Sequence, residues 1–402
     1  MTDAGLLSLL IVPAVAVAAP PLAALIGRYA KVPLVVFEIV LGILVGPSVL
    51  GWVQPSDFLD TLAQFGLAVL FFMAGNEIDF ATISGRPLRR AGLGWVVSLA
   101  GGIALGVIIG GDLVSGVFIG VALCSTALGT ILPALRDAGE LPTPFGRAVT
   151  ATGAAGEFGP LIAISLFLSG RSPLPATIVL LIFVGVSATA IWYASTHKNT
   201  RMHRLVRTTL HTSGQFAVRL VILGIAALVV LSVVLGLDML LGAFAAGVVW
   251  RVFVARATPS DHHVVETKLD AVAFGLLVPI FFVSSGVTFD LDALLSQPET
   301  LVLVPLFLIL LLVVRGLPSL LASPPGASRT DKRGLLLFGA TGLPIIIAVT
   351  TIGVEHKLLP ADTATALVGA GMLSVLLFPA LALIGRAPRL LPADVDVLDE
   401  AP

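Results

Sequence analysis

Charge is what this chain has least of. Only 12% of its 402 residues are Asp, Glu, Lys or Arg, while 57% are hydrophobic; a soluble domain carries about 25% charged residues. Apolar runs of membrane length recur from end to end, so the composition argues against a water-soluble globule and predicts an all-α polytopic membrane protein. Cysteine is nearly absent: Cys124 stands alone, which excludes an internal disulfide and any cysteine-based metal site. The net charge of −1 offers nucleic acid no attraction. A basic leader is missing too. Met1–Pro20 has no Lys or Arg ahead of its apolar residues and reads as part of a first span rather than a cleavable signal. There is no phosphate-binding Gly-Lys-Ser/Thr loop, no paired-His metal helix and no Gly-x-Ser-x-Gly elbow, so neither an enzyme nor a cofactor is expected.

What is present is a series of thirteen apolar runs, at about 5–26, 32–50, 58–78, 91–110, 114–135, 146–168, 174–194, 215–235, 238–256, 269–288, 299–322, 333–353 and 362–385. Each holds roughly 20 residues, enough to cross a ~30 Å hydrocarbon core. The basic residues test this count. Nineteen of the 23 Lys and Arg residues fall in the loops after odd-numbered runs or at the run ends that border those loops. Arg171 and Lys357 alone follow even-numbered ones, and Arg219 and Arg315 lie inside runs. Positive charge is retained in the cytoplasm, so this bias places the N-terminus outside and the C-terminus inside.

The chain repeats itself. Run three reads FGLAVLFFMAGNEIDF (Phe65–Phe80) and run ten FGLLVPIFFVSSGVTFDL (Phe274–Leu291). Each has FGL, then FF, a Gly, and an Asp four residues later (Asp79 and Asp290). Run two has Glu38, Gly42 and Gly46 where run nine has Asp238, Gly242 and Gly247. The step is seven runs, an odd number, so the halves lie upside down relative to one another, as in many secondary transporters. The expectation is one membrane domain with inverted repeats at about 32–168 and 238–385, joined by the run 174–194 and the loop 195–214. That loop carries Lys198, Arg201, Arg204 and Arg207 and reads as a basic linker facing lipid headgroups. The tail after Arg386 is short and ends acidic, and no soluble regulatory domain is expected.

The repeat pairs run five with run twelve, and both are interrupted by Gly, Thr and Pro: CSTALGTILP (Cys124–Pro133) and GATGLP (Gly339–Pro344). Matched interruptions predict two discontinuous helices lining a binding site. Ser125, Thr126, Thr130 and Thr341 offer hydroxyl oxygens there. Run six holds one acid near its middle, Glu157, between Gly156 and Gly159 with Pro160 after them. A carboxyl group at bilayer depth is a functional candidate by default. It can hold a proton or a hard monovalent cation, one at a time, which is what an exchanger requires. Arg315 is the one base deep in a late run. It suits the role of charge partner to Glu157, and arginine keeps its proton. Asn76, Glu77 and Asp79 cluster at a run end, and Glu38 lies about five residues inside run two.

These stretches resemble the bacterial monovalent cation:proton antiporters of the second type, which include sodium/proton exchangers and potassium-efflux relatives. The resemblance rests on FEIVLGILVGPSVLG (Phe37–Gly51), LAVLFFMAGNEIDF (Leu67–Phe80), CSTALGTILPALRDAG (Cys124–Gly139) and VPIFFVSSGVTFDL (Val278–Leu291). It implies a homodimer in the bacterial inner membrane, two crossing discontinuous helices (runs five and twelve) and alternating access by an elevator-like movement. The family usually has an Asp preceded by Asn, Asp or Gln where this chain has Gly156–Glu157, and many members have a Lys where this chain has Arg315. One titratable carboxylate beside a permanently charged arginine implies electroneutral exchange of one Na+ or K+ for one proton at Glu157. The alternative is a gated potassium-efflux pathway, or carriage of another substrate, on the same fold.

Overall fold

The computed structural model describes residues 3–26, 33–78, 83–167, 173–196, 215–254, 259–296 and 298–386. Asp79, Arg171 and the basic stretch from Lys198 to Arg207 lie outside the described residues. All regular elements among the described residues are helical. In chain order they are α1 (Asp3–Ile26), α2 (Leu34–Val45), α3 (Asp57–Glu77), α4 (Arg86–Gly110), α5 (Leu113–Leu123), α6 (Leu128–Asp137), α7 (Pro144–Phe167), α8 (Pro173–Thr196), α9 (Phe216–Val234) and α10 (Met239–Val254). Then come α11 (Pro259–Val272), continued through the π turn Ala273–Leu277 into α12 (Val278–Val287), α13 (Leu291–Ser296) and α14 (Pro298–Leu310). The π turn Leu311–Gly316 leads to α15 (Leu317–Ser319), followed by α16 (Arg329–Gly339), α17 (Pro344–Glu355) and α18 (Ala361–Leu383).

Among the described residues, nine segments are long and apolar enough to cross a membrane, and four shorter apolar helices fall on the remaining apolar runs. Two boundaries differ from the sequence reading. The second run was expected to be helical to residue 50, but α2 ends at Val45, capped by Gly46 with Pro47 next. Run ten begins earlier than expected, because no Gly or Pro interrupts the polar stretch after Pro259 and the helix runs through it.

Burial separates centre from periphery. In the apolar 18-residue windows of Leu113–Leu132 and Arg329–Glu355, 83% of the residues are buried, against 22% in those of Arg86–Gly110 and Phe216–Val234. On the outer helices Leu10, Val17, Ile108 and Val234 are 70–77% exposed, a surface suited to hydrocarbon. The innermost segments are thus the interrupted ones.

Glycines set the close crossings. A Cβ at Gly42 of α2 would lie 2.3 Å from the Val283 carbonyl of α12, and one at Gly286 of α12 would lie 2.2 Å from the Ile39 carbonyl of α2. In the same way Gly75 of α3 meets Phe244 of α10, and Gly247 of α10 meets Phe72 of α3. Small residues let helix backbones approach where lipid gives no hydrophobic drive for association. Run two therefore packs on run ten, and run three on run nine. That pattern is unchanged when each run is exchanged for its repeat counterpart.

Candidate functional site

Both interruptions are real breaks in helices. The first, Cys124–Ala127, separates α5 from α6; the second, Ala340–Leu343, separates α16 from α17. In the second, Pro344 has no N–H to donate to the Ala340 carbonyl and stands at the first turn of α17, where a proline is well tolerated. The first break is held open by tertiary hydrogen bonds. Pro160 inside α7 cannot donate to Gly156, four residues back, so the Gly156 carbonyl is left without a partner in its own helix. The Thr126 N–H takes it at 2.9 Å. The Ala127 N–H donates to the Thr341 carbonyl at 2.7 Å, and the Thr126 hydroxyl to the Gly339 carbonyl at 2.7 Å. The two breaks therefore touch each other, and α5 packs on α17. They form the crossing that the family resemblance implies.

Glu157 faces this crossing. Its Oε1 accepts the Leu128 N–H at 2.8 Å. Leu128 is the first residue of α6, where backbone N–H groups lack intrahelical acceptors and the helix dipole presents its positive end. Carboxylate and half-helix therefore answer one another. Its Oε2 is buried and has no hydrogen-bond partner among the described residues. Gly156 makes room for the arrangement: a Cβ there would lie 2.4 Å from Thr126 Oγ1 and 2.7 Å from Arg315 Nη2.

Arg315 lies within the π turn and is fully buried, so it does not snorkel to an interface. Such turns often sit at functional positions. Its Nε donates to Thr126 Oγ1 at 2.8 Å and its Nη2 to the Thr152 carbonyl at 2.6 Å, while Nη1 has no partner among the described residues. The structure places Arg315 and Glu157 on two sides of the Thr126–Gly156 contact and does not join them in an ion pair.

The four hydroxyl residues divide into two groups. Thr130 lines a cavity of about 290 Å³ together with Glu157 and Gly129. Its hydroxyl donates to the Ala127 carbonyl at 2.9 Å. Ser125, Thr126 and Thr341 lie in the crossing, away from that cavity, and donate to the carbonyls of Ala122, Gly339 and Leu337. The cavity also holds Glu38 of α2 and Glu77 of α3, two acids that the sequence marks without linking them to Glu157. Glu38 is buried, and Glu77 Oε2 has no partner. A larger cavity, about 560 Å³, is lined by Asp60, Asp238, Asp290, Thr350 and Glu355 and does not reach Glu157. Asp60 and Glu77 lie at opposite ends of α3, roughly 25 Å apart at 1.5 Å per residue. The two cavities therefore approach the crossing from opposite sides. Asp238 borders the larger one and caps α10 through the Leu240 N–H (2.8 Å).

Sequence reasoning passed over Ser374. Its hydroxyl is fully buried in α18 and accepts the Gly342 N–H at 3.1 Å in the second break. A lone serine in an apolar run gives no signal of this role.

This geometry has counterparts. The chain is 29% identical over 285 residues to the Na+/H+-K+ antiporter GerN of Bacillus cereus, covering 66% of this chain and 67% of that one. It is 25% identical over 286 residues to an Na+/H+ antiporter of Enterococcus hirae, covering 66% and 69%. Its fold matches the solved structure of the sodium proton antiporter MjNhaP1 from Methanocaldococcus jannaschii at pH 8, with a TM-score of 0.65 at 16% identity over 94% of this chain and 96% of that one. The family model described as "Sodium/hydrogen exchanger, transmembrane" matches residues 14–383, and the chain belongs to that family of cation:proton antiporters.

Proposed function

We propose that this protein exchanges a monovalent cation, Na+ or K+, for a proton, with Glu157 as the group that holds either one. The observation that carries this reading is the division of labour within one carboxylate. Oε1 is fixed to the N-terminus of α6, while Oε2 is buried, unpartnered and part of a residue that lines a cavity. A proton on Oε2 and a cation beside it are alternatives. Pro133 cannot donate to the Gly129 carbonyl, four residues back, so that carbonyl is available to a cation together with Thr130. Glu38 and Glu77 make the approach attractive to cations.

The proton-loaded and cation-loaded forms of Glu157 have the same net charge, and Arg315 keeps its own. A cycle that alternates these forms moves no net charge, which makes the exchange electroneutral, one for one. Access alternates between the two cavities. The exchange symmetry of the glycine crossings supports an inverted repeat, and with it an alternative arrangement in which the larger cavity reaches Glu157. The basic loops support an N-terminus outside, so that the Glu157 cavity faces the cytoplasm. A homodimer in a bacterial inner membrane belongs to the same reading, on the family resemblance. The names of the two relatives, one Na+/H+-K+ and one Na+/H+, leave both cations as substrates to test.

The test is proton flux in proteoliposomes with an internal pH dye, with pulses of Na+, Li+ or K+ and the membrane potential free or clamped. Cation pulses should move protons in the wild type, independently of the clamp. Potential-dependent flux would replace the electroneutral cycle by an electrogenic one. Cation movement without proton coupling would favour the gated efflux pathway.

A further inference from the structure

A third concave region lies away from both cavities, at the face where α4 and α16 begin. It is a groove of about 670 Å³ between the first turns of α4 and the loop Ser323–Ala327, and Arg90, Lys332, Leu93, Leu320 and Leu321 are among its lining residues. Its charged lining residues are both basic. Arg90 Nη1 donates to the Ser323 carbonyl at 3.3 Å, which holds the guanidinium in the groove. Neither Arg90 nor Lys332 forms an ion pair among the described residues. The nearest acid along the chain, Asp331, is already engaged: its carboxylate accepts from the Ser328 N–H and hydroxyl and from Arg386. The hydroxyl oxygen of Ser323 is buried without a partner.

The apolar wall sets the groove's depth in the membrane. Arg90 stands at the end of the polar approach to an apolar run, and Leu93 is one turn inside it. Leu93 is 58% and Leu321 45% exposed. Two cations at headgroup level above two exposed leucines match a molecule with an anionic head and acyl chains. Basic grooves between transmembrane helices recognise such headgroups. A soluble phosphate has no use for the leucines.

We propose that the groove between α4 and the loop before α16 binds an anionic phospholipid, its phosphate on Arg90 and Lys332 and its acyl chains along Leu93 and Leu321. The site lies on elements that pack directly on the crossing: α4 contacts α5 and α7, and α16 carries the second break. A lipid held there ties the substrate-bearing helices to one leaflet.

The test titrates the purified full chain in a neutral detergent with dioleoylphosphatidylglycerol, and in parallel with dioleoylphosphatidylcholine and glycerol phosphate. The wild type should bind phosphatidylglycerol in preference to both. Arg90→Ala/Lys332→Ala should weaken that binding about tenfold or more, the effect of two basic contacts at a headgroup. Arg147→Ala/Arg219→Ala, which removes equal charge elsewhere, should leave it unchanged. Equal binding by the groove variant, or equal affinity for glycerol phosphate alone, overturns the proposal. If the groove variant does not fold, photo-crosslinking of the wild type decides. A phosphatidylglycerol probe should label Leu93 and residues 320–327 above a phosphatidylcholine probe, and equal labelling overturns the site.

Discussion

The two breaks are built alike and closed by different chemistry. In each, the next long helix, α7 or α18, supplies an oxygen to a backbone N–H at the interruption. At the first break it is Glu157 Oε1 on Leu128; at the second it is Ser374 Oγ on Gly342. A hydroxyl can cap a broken helix but has no proton to exchange near neutrality. A carboxylate can do both. The comparison teaches that holding a half-helix in place and carrying the transported proton are separable tasks. In the proposed cycle the second half of the chain performs the first task alone, and the first half combines both in Glu157.

The largest expected effect comes from separating those tasks at Glu157. Glu157→Gln keeps an oxygen for the Leu128 N–H but removes the titrating group. Proton flux in liposomes should fall to background, while the thermal midpoint in detergent stays near wild type. Residual exchange above background would move the ion site elsewhere and leave Glu157 as a cap like Ser374. Next is Gly156→Ala, whose Cβ meets Thr126 and Arg315. Overpacking of this kind costs about 1–3 kcal/mol, read as a lower unfolding midpoint, and exchange should drop by roughly tenfold or more because the first break must shift. Gly92→Ala, with nothing within 4 Å, is the control.

Ser374→Ala sharpens the comparison from the other side. Loss of a cap costs about 1 kcal/mol, so the midpoint should fall while the pH profile of exchange keeps its shape. A displaced pH profile would mean that the second break also takes part in proton handling. The smallest effect is expected where the broken helices begin. α5 is capped by Asp112, whose Oδ1 accepts from the Val114 and Ser115 N–H groups, and α16 by Ser328 and Asp331 in a reciprocal box. The Ser115 hydroxyl, then the backbone N–H groups, hold the Asp112 carboxyl below its ordinary range. A depressed carboxylate adds stability above its unfolded pKa, about 3.9, and loses it as pH falls through the folded value. Asp112→Asn should therefore lower stability slightly at neutral pH, leave the acid end, where the wild-type carboxyl is protonated, nearly unchanged, and so flatten the acid slope of the curve. Thermal scans from acid to neutral pH would refute this if the two curves stay parallel.

Much of this was legible in the chain. Hydropathy marked the apolar runs, and Gly, Thr and Pro in matched runs marked the breaks, because proline and glycine act on their own backbone. The charges of Glu157 and Arg315 stood out against an apolar background. What the sequence did not contain was direction. Ser125, Thr126 and Thr341 lie beside the breaks, yet their hydroxyls turn to backbone carbonyls. The Thr130 hydroxyl also donates to a carbonyl, that of Ala127, yet Thr130 lines the cavity. Which of the four meets the cavity depends on how the broken helix is turned. The convergence of Glu38 and Glu77 on Glu157 was hidden for a related reason: it follows from which helices are neighbours.

Gly156 and Arg315 divide a single small volume between them. The guanidinium occupies the space that a side chain at 156 would need. Neither position can change first without loss, since a side chain at 156 collides and a shorter base at 315 leaves a void. The pair of an Asn, Asp or Gln and a lysine, which the family resemblance puts at these two places in many members, is thus two simultaneous steps away. The pair acts as a ratchet on descent: once arginine and glycine are both in place, the other combination is reached by a double replacement or not at all.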